Sequence, residues 1–399
     1  MNRTHSWILT DSRTGLYVEH FHVTHRELGV DAPQPWSIEK RRLKGGLCDG
    51  VDVVEIVNGP LSVAVCPTRG MGVWRGSYQG WPLGWRSPVQ GPVHPGFVNR
   101  DELGGVGWLA GFDEWIVRCG LNNNGAPAVD RLPDNTGAEQ SMALPLHGRI
   151  ANIPAHYVEV RVETTPPYGL AVFGQVDEST LFFPQLRLDT EIRTTPGSNR
   201  LLIRDRVTNL KSLPAELELL YHCNFGPPLL GEGARFRAPV GRVAPINKIA
   251  QDAMEAWDVY PGPTPGVVEQ CYLMQLLADP ATDRTLALLE APSADKACAL
   301  RFSRSQLPWF TLWKNPAALS DGYVTGLEPG TDLPNAKPFE RLRGRVVQLP
   351  PQGAYDLELV VEVADDAARV AALADEVARL QSLSPPRIDR LPPEDLAPV

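Results

Sequence analysis

Short apolar runs with a two-residue rhythm, each closed off by turn residues, recur along most of this chain and restrict what it can fold into. Gln185-Leu186-Arg187-Leu188-Asp189-Thr190-Glu191-Ile192 alternates apolar and polar side chains without a break. That pattern fits a strand with one face buried and one wet, as in an antiparallel sheet. Similar runs occupy residues 51–57, 61–66, 157–163, 170–175, 185–193, 200–208 and 216–221, then 271–277, 285–289, 299–302, 310–313, 343–349 and 354–363. Asn58-Gly59-Pro60 separates the first two as a hairpin break would. The 35 glycines and 38 prolines suit many strands joined by tight turns. Helical periodicity is clear only in residues 365–383, and Ser384-Pro385-Pro386 ends it. There is no short repeat and no low-complexity tract. The expected fold is all-β: one large, twisted antiparallel sandwich with few short helices and one C-terminal helix.

These signals divide the chain into residues 1–40, an extension that packs on the body or contributes to a homodimer contact; residues 41–385, a single sandwich domain; and residues 386–399, a Pro-rich arm or frayed tail. A formal net charge of -9 argues against nucleic acid and against an anionic membrane surface. No apolar stretch reaches membrane-spanning length, and the first residues lack the apolar core of a signal peptide. The six cysteines have no C-x-x-C spacing and read as free thiols in a reducing compartment, the cytoplasm.

Three segments carry candidate chemistry. Leu144-Pro145-Leu146-His147-Gly148-Arg149 and Tyr221-His222-Cys223-Asn224-Phe225 each set a histidine among apolar or aromatic neighbours. Histidine is the side chain whose ordinary pKa lies nearest neutrality. In Gly326-Leu327-Glu328-Pro329-Gly330-Thr331-Asp332-Leu333-Pro334-Asn335 a carboxylate is expected at the end of an apolar strand, just before a rigid turn. Partial desolvation in a cleft would raise its pKa toward that of a useful base. Each residue also has a plain reading: a histidine satisfied within the core, or a loop carboxylate bonded to backbone N–H groups.

The ordered set resembles the aldose 1-epimerase (galactose mutarotase) superfamily, and within it an aldose-1-epimerase-like bacterial branch. His147-Gly148 is similar to the family's first element, Tyr221 to Phe225 to its second, and Leu327-Glu328 with Asp332 to Asn335 to its third. The resemblance implies a β-supersandwich and a sugar ring opened and closed by acid and base. It makes Glu328 the general base, His222 the general acid and His147 a positioning and charge-stabilising group. Such chemistry needs neither a metal nor a redox cofactor. Tyr221 stands where the family usually has Asn. The family's sugar-holding Asp has no clean counterpart; Asp258 and Glu269, with Gln270 beside it, fall in the right interval.

Further candidates for holding a small carbohydrate lie between residues 67 and 120. Arg69, in a turn, could reach over a cleft; the alternative is an exposed turn arginine. The run Gly111 to Gly120 brings Asp113, Trp115 and Arg118 together, an indole flanked by charges that suits sugar C–H groups and hydroxyls. Asn224, beside His222, is a further polar contact. Glu19-His20-Phe21-His22-Val23-Thr24-His25-Arg26-Glu27 is the competing constellation, with His20 and His22 on one strand face as a metal site would require; a solvated edge strand explains it as well. Two other functions stay open: an epimerase or isomerase acting at a carbon alpha to a sugar carbonyl, and a carbohydrate-binding protein without catalysis.

Overall fold

Alternation becomes burial in the folded chain. In strand Gln185–Thr194 every second side chain is buried and those between are half-buried, because one face looks into a sandwich and the other toward water. The computed structural model describes residues 4–398. Two large sheets face each other. The first has ten strands, in the order Arg235–Arg237, Arg284–Glu290, Ala297–Ser303, Ala354–Ala364, Arg200–Asn209, Gln185–Thr194, Leu170–Ser179, Tyr157–Glu163, Thr4–Asp11, Leu16–Tyr17. The second has fourteen strands. Its middle runs Gln270–Leu276, Trp309–Asn315, Val324–Gly330, Ala215–Phe225, Ile116–Leu121, Gly72–Tyr78 and Leu61–Cys66. Ala128–Pro133 and Glu139–Leu144 form a separate hairpin. Among the paired strands only Val240–Pro245 with Arg387–Ile388 is parallel.

Val, Leu and Ile from the two inner faces form one continuous core. Helix Ala367–Gln381, capped by Asp366 accepting from the Arg369 N–H, covers the outer face of the ten-stranded sheet. Its Val370, Leu373, Val377 and Leu380 pack on Leu286, Leu288, Ala297 and Ala299.

The structure alters several expectations. Residues 4–42 do not lie on the body as an extension. Thr4–Asp11 pairs with Tyr157–Glu163 in the ten-stranded sheet, and Ser37–Arg42 pairs with Asp52–Val57 in the other. They were hard to see as strands because each lies one strand in from a sheet edge and carries charged or polar side chains on both faces. Arg343–Leu349 is not one strand: helix Lys337–Leu342 ends at Arg343, and only Val347–Leu349 pairs. Of the last residues, those described form a docked arm: Leu396 and Ala397 are buried, and Asn335 Nδ2 donates to Leu396 O at 2.9 Å. Residues 1–3 and 399, the outermost parts of the extension and tail, lie outside the described residues.

The largest change concerns Glu328. Its strand runs on to Gly330, so the glutamate sits inside a strand rather than at its end. Pro329 looks like a breaker in sequence, yet it pairs opposite Phe310.

Candidate active site

Sheet register creates the site. Leu220 lies opposite Gly330 and Cys223 opposite Leu327, so His222 falls opposite Glu328. The ladder lapses between those two rungs, where Pro329 has no N–H to donate. Side chains alternate across a strand, so Tyr221 and Cys223 enter the core while His222 and Glu328 share the outer face. His222 Nε2 lies 3.1 Å from Glu328 Oε1. The two residues are only 4% and 2% exposed.

Asn224 fixes the histidine tautomer. Its Nδ2 donates to Glu114 O at 3.0 Å and to His222 O at 3.2 Å. Its Oδ1 is thereby the acceptor for His222 Nδ1–H, at 2.6 Å. In a neutral imidazole Nε2 then bears a lone pair, and it points at a carboxylate oxygen that has no other hydrogen-bond partner. One proton between Nε2 and Oε1 resolves the contact. Burial and the nearby Glu269 charge push the Glu328 carboxyl well up, while burial and His147 push His222 well down. The resting proton therefore belongs on Glu328.

His147 completes the group. Its ring centroid lies 5.5 Å from that of His222, and its Nδ1–H donates to Asn124 O at 2.8 Å. Burial pushes its pKa down to about 4. The His-Gly pair is a backbone requirement. His147 has φ 57° and Gly148 φ 70°, and a Cβ on Gly148 would collide with the carbonyl oxygens of Asn123 and Gly120. Aromatic rings wall the site. Trp108 stands 4.6 Å from His147, Phe112 5.1 Å from His222 and Trp313 5.3 Å from His222, centroid to centroid. Trp313 Nε1 donates to Glu269 Oε2 at 2.8 Å.

Gly326 sits two rungs beyond the pair, opposite Asn224. A Cβ there would collide with Glu328 Oε1 and stand 3.0 Å from His222 Cε1. Gly326→Ala is expected to force the two groups apart and to lower turnover about a hundredfold with the far-ultraviolet circular dichroism unchanged. A variant with wild-type turnover would show that this separation is not critical.

Of the candidates read from sequence, the fold gathers His147, His222, Glu328, Asn224 and, at the rim, Glu269. It places the other six elsewhere. Arg69 is fully buried rather than reaching over a cleft; it donates to Glu114 Oε1 at 2.9 and 2.6 Å, to Gly111 O and to Asn152 Oδ1. Arg118 lies between the sheets, bonded to both Asp205 oxygens. Trp115 is a core residue against Gly76 and Gly84 and offers no face to a ligand. Asp258 lies beside Lys314, and Gln270 lines a separate cavity with that lysine. Asp113 accepts from Trp74 Nε1 at 2.7 Å and lines a neighbouring cavity of about 1060 Å³. Burial and the Glu114 charge push its carboxyl up to about 8.

Sequence reasoning missed Asn124, Phe112, Trp313 and Gly326. The run Asn122-Asn123-Asn124 behind an apolar strand was the one available signal. His20 and His22 lie on an exposed edge. Among the described residues no group of three His, Cys, Asp or Glu could hold a metal ion, and no helix is long and apolar enough to cross a membrane.

Two opposed antiparallel sheets define the galactose mutarotase-like fold, which the chain shares with several solved structures. A galactose mutarotase-like protein from Clostridium acetobutylicum matches at TM-score 0.54 and 16% identity, over 82% of this chain and 98% of that one. A galactose 1-epimerase from Lactobacillus acidophilus matches at 0.52 and 12%, over 82% and 99%. A putative aldose 1-epimerase from Klebsiella pneumoniae is far more similar, with TM-score 0.92 and 36% identity over 98% of this chain and 99% of that one. The chain belongs to the family described as a domain of unknown function (DUF4432), whose model matches residues 48–363. No curated protein matches it.

Proposed function

We propose that this protein is an aldose 1-epimerase-like enzyme that interconverts the anomers of a small sugar or sugar derivative in the cytoplasm. The observation that carries the proposal is the His222–Glu328 pair: two buried groups, face to face at 3.1 Å, one of them a carboxylate oxygen with no other partner among the described residues. Ring opening removes a proton from the anomeric hydroxyl and delivers one to the ring oxygen, so one acid and one base suffice. A sugar whose anomeric hydroxyl and ring oxygen face the pair meets both groups. With the proton on His222, Glu328 accepts from the hydroxyl and His222 Nε2 donates to the ring oxygen. The C1–ring-oxygen bond breaks, the aldehyde rotates about C1–C2, and closure on the other face reverses both transfers. That microstate is one proton transfer away from the resting one, across the 3.1 Å contact. Asn224 stabilises the imidazolium by accepting its Nδ1–H. Neutral His147 stabilises charge that develops during opening, and Trp108, Phe112 and Trp313 supply apolar surface for ring C–H groups.

Proton NMR on a sugar panel in deuterated buffer tests this reading. Saturation transfer between α and β anomeric signals of one sugar, accelerated by the protein, supports it. Loss of a C–H signal would instead indicate epimerisation at carbon, and binding without either effect would indicate a non-catalytic carbohydrate-binding protein.

The pH profile follows from the same pair. Adding a second proton must charge His222, which burial and His147 hold well below its ordinary value. Removing the only proton must ionise Glu328, held well above its own. The rate is therefore expected to show no limb near the usual histidine pKa of about 6.5. A limb centred there would contradict the shared-proton pair.

A further inference from the structure

We infer that Glu218 and Asp332 form a second cross-strand pair, sharing one proton, that positions His147 through Asn124. The inference rests on His147 belonging to the reactive group. The register that sets His222 opposite Glu328 also sets Glu218 opposite Asp332, on the same outer face and four residues away along each strand. The pairing persists beyond the strand end, where Thr331 N–H donates to Leu219 O at 2.8 Å and Leu219 N–H to Thr331 Oγ1 at 2.9 Å. One residue touches both acids. Asn124 donates its backbone N–H to Glu218 Oε2 at 3.3 Å and its Nδ2 to Asp332 Oδ1 at 2.6 Å. Thr331 Oγ1 also donates to Asp332 Oδ1, at 3.1 Å.

Two oxygens are left over. Glu218 Oε1 and Asp332 Oδ2 are buried with no other partner among the described residues, and both residues are almost wholly shielded from water. A single proton between the two carboxyls satisfies both; without it two carboxylates would face each other away from solvent. The nearby cations serve other carboxylates. Arg345 is bidentate on Glu340, Arg341 bridges Asp130 and Glu216, and Lys337 lies 3.3 Å from Glu216 while donating to Asn122. Glu178, the remaining buried acid here, accepts from the Leu121 and Asn122 N–H groups. Burial pushes Glu218 up to about 7, and burial together with Glu218 pushes Asp332 up as well.

The consequence reaches the site because Asn124 O is the acceptor for His147 Nδ1–H. Whatever holds Asn124 also holds the imidazole, with Nε2 free of its hydrogen. Glu218 and Asp332 are too deep to meet a substrate, so their role is positioning.

Amide substitution tests the shared proton. Asp332→Asn offers an N–H toward Glu218 and keeps an oxygen for Asn124; Glu218→Gln does the same in reverse. Asp332→Ala is expected to lower kcat about tenfold with little change in KM, and Asp332→Asn to restore most of it. The double variant Glu218→Gln/Asp332→Asn sets NH2 against NH2 and is expected to lose activity again. Nitrogen-15 NMR of His147 reads the same effect without any substrate: one Nδ1–H tautomer in the wild type and in either single amide, a mixture in Asp332→Ala and in the double variant. That readout survives even if no sugar is turned over, so failure of the epimerase reading stays distinguishable. An unchanged His147 tautomer in Asp332→Ala would overturn the positioning role. Infrared spectra of the wild type and the single amides test the proton itself: each amide should remove one protonated-carboxyl band at neutral pH, and an undiminished band would overturn the shared proton.

Discussion

Glu328→Gln is expected to abolish anomer exchange while leaving the protein folded and sugar binding measurable. The amide keeps the shape of the side chain and can still meet His222 Nε2, now through an N–H. It cannot accept and return a proton. Removing a group that transfers protons at the reacting centre lowers rates by between about 100-fold and 10,000-fold. The upper end is expected here, because among the described residues Glu328 is the partner of His222 Nε2. The loss should fall on kcat, since the aromatic walls and Asn224 remain in place. Line broadening or chemical-shift titration of the bound sugar checks binding, and saturation transfer checks turnover. A variant that still exchanged anomers at the wild-type rate would remove Glu328 from the mechanism.

Arg118→Met is expected to carry the largest cost in stability. Arg118 spans the gap between the sheets: Nη2 lies 2.9 Å from Asp205 Oδ1 and 2.7 Å from Thr190 Oγ1, and Nη1 donates to Met71 O at 3.0 Å. Tyr221 O–H donates to the same aspartate at 2.7 Å. Removing the guanidinium leaves a buried carboxylate with one hydroxyl donor, a change that costs about 3–5 kcal/mol. Chemical denaturation should show a lower midpoint of this size. The compensated variant Arg118→Met/Asp205→Leu should regain much of the loss, since an apolar pair of similar volume removes the stranded charge. A single variant as stable as the wild type would show that Asp205 finds another partner or a proton.

These two residues also mark what the sequence could and could not disclose. Strands such as Gln185–Thr194 were legible because one wet face and one buried face force alternation. Strand Ile116–Leu121 is buried on both faces and shows no such rhythm, so Arg118 read as a candidate sugar ligand. Whether its side chain enters the core or the outer face that carries His222 depends on a single step of phase, and a charge among apolar residues fits either. Trp115, one residue before that strand, was misplaced for the same reason, and Arg69 lies in a short 3-10 turn whose direction no strand periodicity predicts. His147, His222 and Glu328 stood out by type and order, but their contact did not. It requires pairing two strands about a hundred residues apart, and nothing local in either segment encodes that register. Asn124 was out of reach because it acts through its backbone carbonyl, which every residue has.

The rung that unites His222 with Glu328 gives activity an all-or-none character. Sliding either strand by one residue would turn its own member of the pair into the core, so no slipped or partly paired intermediate can retain a fraction of the function. Appearance of turnover during refolding therefore times a single event, the locking of residues 215–225 against residues 324–330, and should lag any signal that reports only on sheet content.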